Sequence, residues 1–261
     1  MLELPAELNI FIGIVAFVLG ACMGSFLNCM AWRITEGESP WKGRSHCDEC
    51  KHTLQPLDLV PIASYLAMRG RCRYCGAKLS AGHVWAELLT GIVYVLVFAV
   101  YGVSLQALEM LLFASVLLAA AFADLKSYII PNGFVVAGIV LRIPFFFCLP
   151  GWQESLVDAL LGGFAVGGGL LLVVLLYEKL RGIEAMGGGD LKLLFVTGLY
   201  LGWANNILCL LLACILGIVF AAATQKSREG KVFPWGPSIS AAAIACALWG
   251  SQLVGAYLAL F

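Results

Sequence analysis

The longest stretches without a charged residue are what any fold of this chain must accommodate first. Between Glu7 and Arg33 lie 25 residues with no Lys, Arg, Asp or Glu, and the run 193–225 has 33. A charge in hydrocarbon is costly, and about 20 consecutive apolar residues suffice for a helix to cross a bilayer. Further uncharged runs cover 88–108, 110–123, 127–141, 159–177 and 232–261. Composition agrees: 61% of the 261 residues are hydrophobic and 12% are charged, against about 25% charged in a soluble domain. So much apolar side chain would leave a soluble globule with patches that drive association. The chain reads as an all-α, polytopic membrane protein. Sixteen basic residues balance sixteen acidic ones, so the basic excess of a nucleic-acid binder is missing and no nucleic-acid partner is expected.

At 1.5 Å per residue the run 193–225 would make a helix of about 50 Å, too long for one crossing of a core about 30 Å thick. A break is expected near Trp203, Asn205 and Asn206, which brings the total to about eight transmembrane helices. With the amino terminus outside, fifteen of the sixteen basic residues then fall in cytoplasmic segments, leaving only Arg142, as the bias of Lys and Arg toward the cytoplasm requires. No Lys or Arg precedes the first run, so the basic region of a cleavable signal peptide is missing and the first helix is expected to remain. Arg142 and Pro144 interrupt the fourth span, and Arg142 is expected to snorkel or to pair with an acid on a neighbouring helix. Asp158 is expected near the outer surface. No fixed-period repeat is visible.

The polar segment 34–83 divides the chain into a first helix, 1–33, a small cytoplasmic domain, and a membrane domain, 84–261. It holds Cys47 and Cys50, then Cys72 and Cys75, so two C-x2-C pairs stand 21 residues apart. Two such knuckles complete a tetrahedral thiolate shell for zinc. Disulfides are the alternative, but they are rare in a reducing compartment. A closed four-cysteine shell has no open position, so the zinc would be structural, and its binding would supply folding energy to a segment too small to fold by burial. His46, His52 and His83 are read as solvated loop residues or ligands of an alternative shell. Cys22, Cys29, Cys148, Cys209, Cys214 and Cys246 lie in apolar runs, where cysteine is a small buried side chain.

Asp124 ends the third span and Asp190, after Gly187, Gly188 and Gly189, begins the sixth. Both fall at the cytoplasmic end of a helix. Two carboxyl groups brought close share a proton, so one can activate water while the other donates to a carbonyl. That is the chemistry of peptide hydrolysis without a catalytic metal. The glycines would let backbone approach an extended substrate. Each aspartate also has Lys two positions on, as an interfacial anchor would.

The string Gly187, Gly188, Gly189, Asp190 resembles the GxGD signature of intramembrane aspartyl proteases. Asp124 with Ile130, Pro131 and Asn132 resembles the partner motif of one branch, the bacterial type IV prepilin peptidases. Gly24, Ser25, Phe26, Leu27 and Asn28 followed by Arg33, the two cysteine pairs, the segment Glu87 to Gly91 and the segment Phe233 to Pro237 match in the family's order. One departure is Asp48, where relatives often have proline after the first cysteine. The resemblance implies that Asp124 and Asp190 cut the short basic leader from type IV prepilins and type II secretion pseudopilins, at the cytoplasmic face of the bacterial inner membrane, with the amino terminus periplasmic. It also implies methylation of the new amino terminus with S-adenosylmethionine, and a relation to pilus or secretion machinery. Gly24, Ser25, Asn28, Arg33 and Glu87 then become candidates for methyl transfer or substrate docking, with Glu36, Glu38 and Asp58 as further acids. A cleavage-only peptidase whose zinc domain docks substrate is the nearer rival. A transporter or assembly scaffold using the aspartates to bind a cation is the remoter one, since its acids would lie near the midplane.

Overall fold

A computed structural model describes residues 5–149, 151–182, 186–224 and 233–259. Among them are the helices α1 (Ala6–Thr35), α2 (Ala63–Ala67), α3 (Gly82–Tyr101), α4 (Leu105–Ser127), α5 (Asn132–Cys148), α6 (Trp152–Gly162), α7 (Gly169–Arg181), α8 (Gly188–Thr224) and α9 (Gly236–Leu258). No strand occurs among the described residues, only two isolated bridges in the loop between α1 and α3. Six helical stretches are long and apolar enough to cross a membrane: α1, α3, α4, Gln153–Arg181, Gly188–Ala223 and α9. α5 is apolar but only 17 residues long. The expected eight is reached only when α5 is added and α8 is taken as two pieces. The chain divides into two compact units, Met1–Val103 and Ser104–Phe261.

In the first unit α1 packs on α3 through small residues. A Cβ on Gly24 would lie 2.7 Å from the Ala86 carbonyl oxygen and 2.8 Å from the Thr90 hydroxyl, and one on Gly20 would lie 2.8 Å from Gly91 Cα. In lipid, helices have no hydrophobic drive toward each other, so this close backbone approach is what holds the pair. The buried Thr90 hydroxyl is satisfied within its own helix, donating to the Ala86 carbonyl at 2.7 Å.

In the second unit α4 is the central helix. Leu117, Ala119, Ala120 and Ala123 are fully buried, as are Leu193, Leu194 and Val196 on α8 and Ile239, Ala242 and Ala243 on α9. Alanine along α4 brings the neighbouring backbones near enough for the Ser240 hydroxyl to donate to the Leu117 carbonyl at 2.9 Å. α8 breaks at Gly202, whose φ of 73° and ψ of 179° suit glycine alone. That is just before Trp203, Asn205 and Asn206, near which the break is expected. The Asp158 carboxylate fills the position a side chain at 202 would take, and accepts from the Trp203 N–H at 3.3 Å. Asn206, fully buried, donates to the Gly162 carbonyl at 3.0 Å and accepts from the Thr197 hydroxyl at 2.8 Å. A short π-helical turn, Gly163–Gly168, links α6 to α7.

Arg142 pairs with Glu109 of α4, as the rarity of a lone charge in lipid leads one to expect. It also donates to the Leu199 carbonyl at 3.0 Å and the Ser155 hydroxyl at 3.1 Å, and lies 4.3 Å from the Phe146 ring centroid. Removing one partner of a buried pair strands the other. Arg142→Met is therefore expected to destabilise the protein by about 3–5 kcal/mol, read as a lowered Tm in detergent, and Glu109→Leu combined with Arg142→Leu should recover most of that loss.

Candidate active site and metal centre

Asp124 sits in the last turn of α4 and Asp190 in the first turn of α8. Both line one cleft of about 210 Å³, together with Tyr128, Ile129, Ile130, Gly187, Gly188 and Gly189. Asp124 is buried and Asp190 half-buried. α4 ends at Tyr128, held in a left-handed conformation (φ 58°) while its N–H donates to the Asp124 carbonyl at 2.9 Å. The chain turns there, and Ile130 tucks into the protein before Pro131 opens α5.

The glycine string has two distinct uses. A Cβ on Gly189 would lie 3.0 Å from Ile130 Cβ, so this glycine lets the two aspartate-bearing segments meet. Gly188 faces open space, with nothing within 4 Å of its Cβ position. Lys192 is no free interfacial anchor: its Nζ donates to Asn132 Oδ1 at 2.9 Å and ties the two motifs together.

A residue with no role assigned from sequence completes the site. The Gly236 N–H, at the amino end of α9, donates to Asp124 Oδ2 at 2.8 Å. A Cβ on Gly236 would fall 2.8 Å from that same oxygen. The preceding Trp235 is anchored on α8, its indole N–H donating to the Ala213 carbonyl at 3.0 Å. Its signal in the sequence was its place within the segment Phe233 to Pro237. Gly236→Ala is expected to push the carboxylate aside and lower the single-turnover rate of chemistry at this site about 10²-fold, with little change in Tm.

In the first unit Cys47, Cys50, Cys72 and Cys75 place their sulfurs within 4.8 Å of one another. Cys47 and Cys72 are buried, Cys50 and Cys75 exposed. The knuckles share one backbone plan at an offset of 25 residues. Lys51 N–H bonds the Cys47 carbonyl as Gly76 N–H bonds that of Cys72, each at 2.9 Å, and Cys47 N–H bonds the His52 carbonyl as Cys72 N–H bonds that of Ala77. Lys51 and Gly76 both have positive φ, and the bridges His46–Thr53 and Arg71–Lys78 complete the match. A short structural repeat is thus present where the sequence showed no fixed-period repeat, because between 45–54 and 70–79 only the cysteines and one leucine, Leu54 against Leu79, recur besides the backbone conformation.

The donor set fits a soft divalent metal ion. Backbone N–H groups of Cys75 and Tyr74 pull the Cys72 thiol down to about 7, toward the thiolate a metal binds. At Cys75 the Ala77 N–H lowers the thiol, but burial and the neighbouring thiols outweigh it and push it up to about 12. Four thiols this close cannot all ionise without a cation among them. Asp58 braces the second knuckle. Its Oδ2 accepts from the Tyr74 hydroxyl at 2.9 Å and the Gln55 N–H at 3.1 Å, and Arg73 lies 3.2 Å from Oδ1. Burial raises its carboxyl, and these partners together bring it below the usual range.

Three of the other candidates have hydrogen-bond partners inside the first unit. Asn28 bonds His83 at 2.8 Å, Arg33 donates to the Lys42 and Gly43 carbonyls at 3.3 and 3.4 Å, and Glu87 accepts from the Ile62 N–H at 2.7 Å. Gly24 lies in the helix contact and Ser25 is half-buried. No donor pocket for a cofactor follows from these contacts.

Two family models match the chain: the bacterial peptidase A24 N-terminal domain over residues 18–101, and the type IV leader peptidase family over residues 111–222. Among curated relatives, the prepilin leader peptidase/N-methyltransferase of Myxococcus xanthus is 33% identical over 86% of this chain and 68% of its own length. The protein of the same name from Stutzerimonas stutzeri is 32% identical over 93% and 92% of the two chains. That of Aeromonas hydrophila is 32% identical over 100% and 99%. No solved structure matches the chain.

Proposed function

The chain belongs to the type IV leader peptidase family, and from that membership we propose that it cuts the short basic leader from type IV prepilins and type II secretion pseudopilins, then methylates the new amino terminus. The observation that carries the reading is the pair of carboxylates, Asp124 and Asp190, on one cleft. Two ionised carboxylates in so small a space repel, which favours a shared proton. One member draws a proton from water as the other protonates the carbonyl oxygen of the scissile bond, and the two exchange roles as the amine leaves. The Gly236 N–H orients Asp124 by holding one of its oxygens. Gly188, open on the cleft, leaves room for an extended backbone.

The site faces the cytoplasm and the amino terminus the periplasm of the inner membrane, on the strength of the basic residues' distribution. Segment 34–83 is the metal-binding domain and 84–261 carries the peptidase. Zinc, held by Cys47, Cys50, Cys72 and Cys75, has a closed thiolate shell and serves the fold. Methyl transfer needs a neutral amine, a sulfonium methyl in line with it, and an acceptor for the proton. Gly24, Ser25, Asn28, Arg33 and Glu87 are the candidates for holding S-adenosylmethionine.

Purified protein incubated with a prepilin, with and without S-adenosylmethionine, tests the proposal by intact-mass analysis. Loss of the leader plus the mass of one methyl group is expected. Loss of the leader alone assigns cleavage without methyl transfer, and an unchanged mass overturns the reading.

A further inference from the structure

Between the two cysteine knuckles the chain makes a short turn, Pro56–Leu59, and then α2. Both present apolar side chains outward. Leu57 and Leu66 are 68% and 66% exposed, and Leu59 and Val60 are 43% each. The depth of this segment is set by one hydrogen bond, from the Ile62 N–H to Glu87 Oε2 at 2.7 Å. Glu87 is the sixth residue of α3 and the last charged residue before the uncharged run 88–108, so its carboxylate holds Ile62 near the start of that run. α3 has 20 residues and is about 30 Å long, the thickness of the hydrocarbon core. A charge at Glu87 is costly in hydrocarbon, so the hydrocarbon edge falls at about Glu87, and Ile62 lies near that level. Trp85, in the same first turns, is 66% exposed, as an aromatic side chain at the membrane interface would be. Ile62 itself has a φ of 61°, rare for a β-branched residue, and the carboxylate bond holds it there.

Charge gives the second argument. No acidic residue occurs from 59 to 86, whereas Arg69, Arg71, Arg73 and Lys78 all do. Arg73 is paired with Asp58, while Arg69 and Arg71 are exposed. We propose that residues 56–71 form an interfacial anchor, with Leu57, Leu59, Val60 and Leu66 among the acyl chains and Arg69 and Arg71 on the phosphates of anionic phospholipids. An apolar surface of this kind sinks about 5–10 Å into the headgroup boundary, a depth matching that of Ile62. The bilayer then becomes part of what positions the metal-binding loop, through contacts that involve neither carboxylate of the cleft.

The test is amide hydrogen exchange on the full-length, zinc-loaded protein. It is read in detergent, in phosphatidylcholine vesicles, and in vesicles of phosphatidylcholine and phosphatidylglycerol in equal parts. Exchange across 56–71 should slow from detergent to phosphatidylcholine, slow again with phosphatidylglycerol, and lose the second increment in high salt. R69E with R71E should remove that second increment, about fivefold per arginine. L57E with L66E should remove the protection in both lipids. Unchanged exchange across 45–54 in every variant shows that the knuckles remain folded. Equal rates in detergent and vesicles, protection that survives L57E with L66E, or protection that arises only on adding a prepilin would each overturn the proposal, the last by showing a peptide surface instead.

Discussion

Asp124→Asn and Asp190→Asn are each expected to lower leader cleavage by about 10³-fold while the chain stays folded. Asparagine has the shape of aspartate, and its side-chain oxygen can still accept the Gly236 N–H that Asp124 accepts at 2.8 Å. On the proposed two-carboxylate mechanism, what is lost is the proton that the pair passes between water and the carbonyl, and either substitution removes it. Groups that act as a unit are not additive, so the double variant should be no slower than the worse single one. Single-turnover cleavage of a prepilin, followed by mass, measures this. Cleavage within about tenfold of wild type in either single variant would remove the two-carboxylate mechanism. Methylation of a substrate supplied already cleaved should proceed in both variants.

The second large effect concerns the metal. Among the described residues of 34–83, the only buried members of the hydrophobic core are Cys47 and Cys72. A segment with no other apolar interior cannot fold by burial, whereas zinc binding to comparable small modules contributes about 10–16 kcal/mol. Cys47→Ser is therefore expected to leave 34–83 unfolded while α1, α3 and the second unit persist. Elemental analysis should find about one zinc per wild-type chain and far less in the variant. Limited proteolysis should then cut the variant between α1 and α3 and spare the wild type. A metal-free wild type that resists proteolysis in this loop would refute the structural role.

Charge-based and spacing-based features were legible in the sequence because their physics is local. Lipid tolerates few charges, so charge-free runs mark helices, and excess length called for a break in α8, expected near Trp203, Asn205 and Asn206 and found at Gly202. The cysteine spacing likewise foretold a cluster, since each pair lies on one tight turn. Contacts between distant segments were beyond reach. Nothing adjacent to Asp124 hints that its carboxylate is held by a backbone N–H 112 residues away, or that Lys192 serves Asn132. Glu87 stood out as a candidate for methyl transfer or substrate docking, yet its partner is a strained amide at Ile62, visible only once the loop is folded back.

The glycine contact between α1 and α3 bears on the metal as well as on the helices. The first knuckle follows α1 and the second precedes α3. Packing Gly20 and Gly24 against α3 confines both knuckles to a small volume, which sets the effective concentration of one thiolate pair for the other. Such coupling is reciprocal: helix association would tighten the grip on a bound metal ion, and the metal would tighten helix association by the same factor. A larger residue at position 24, touching no cysteine, would therefore loosen the metal too.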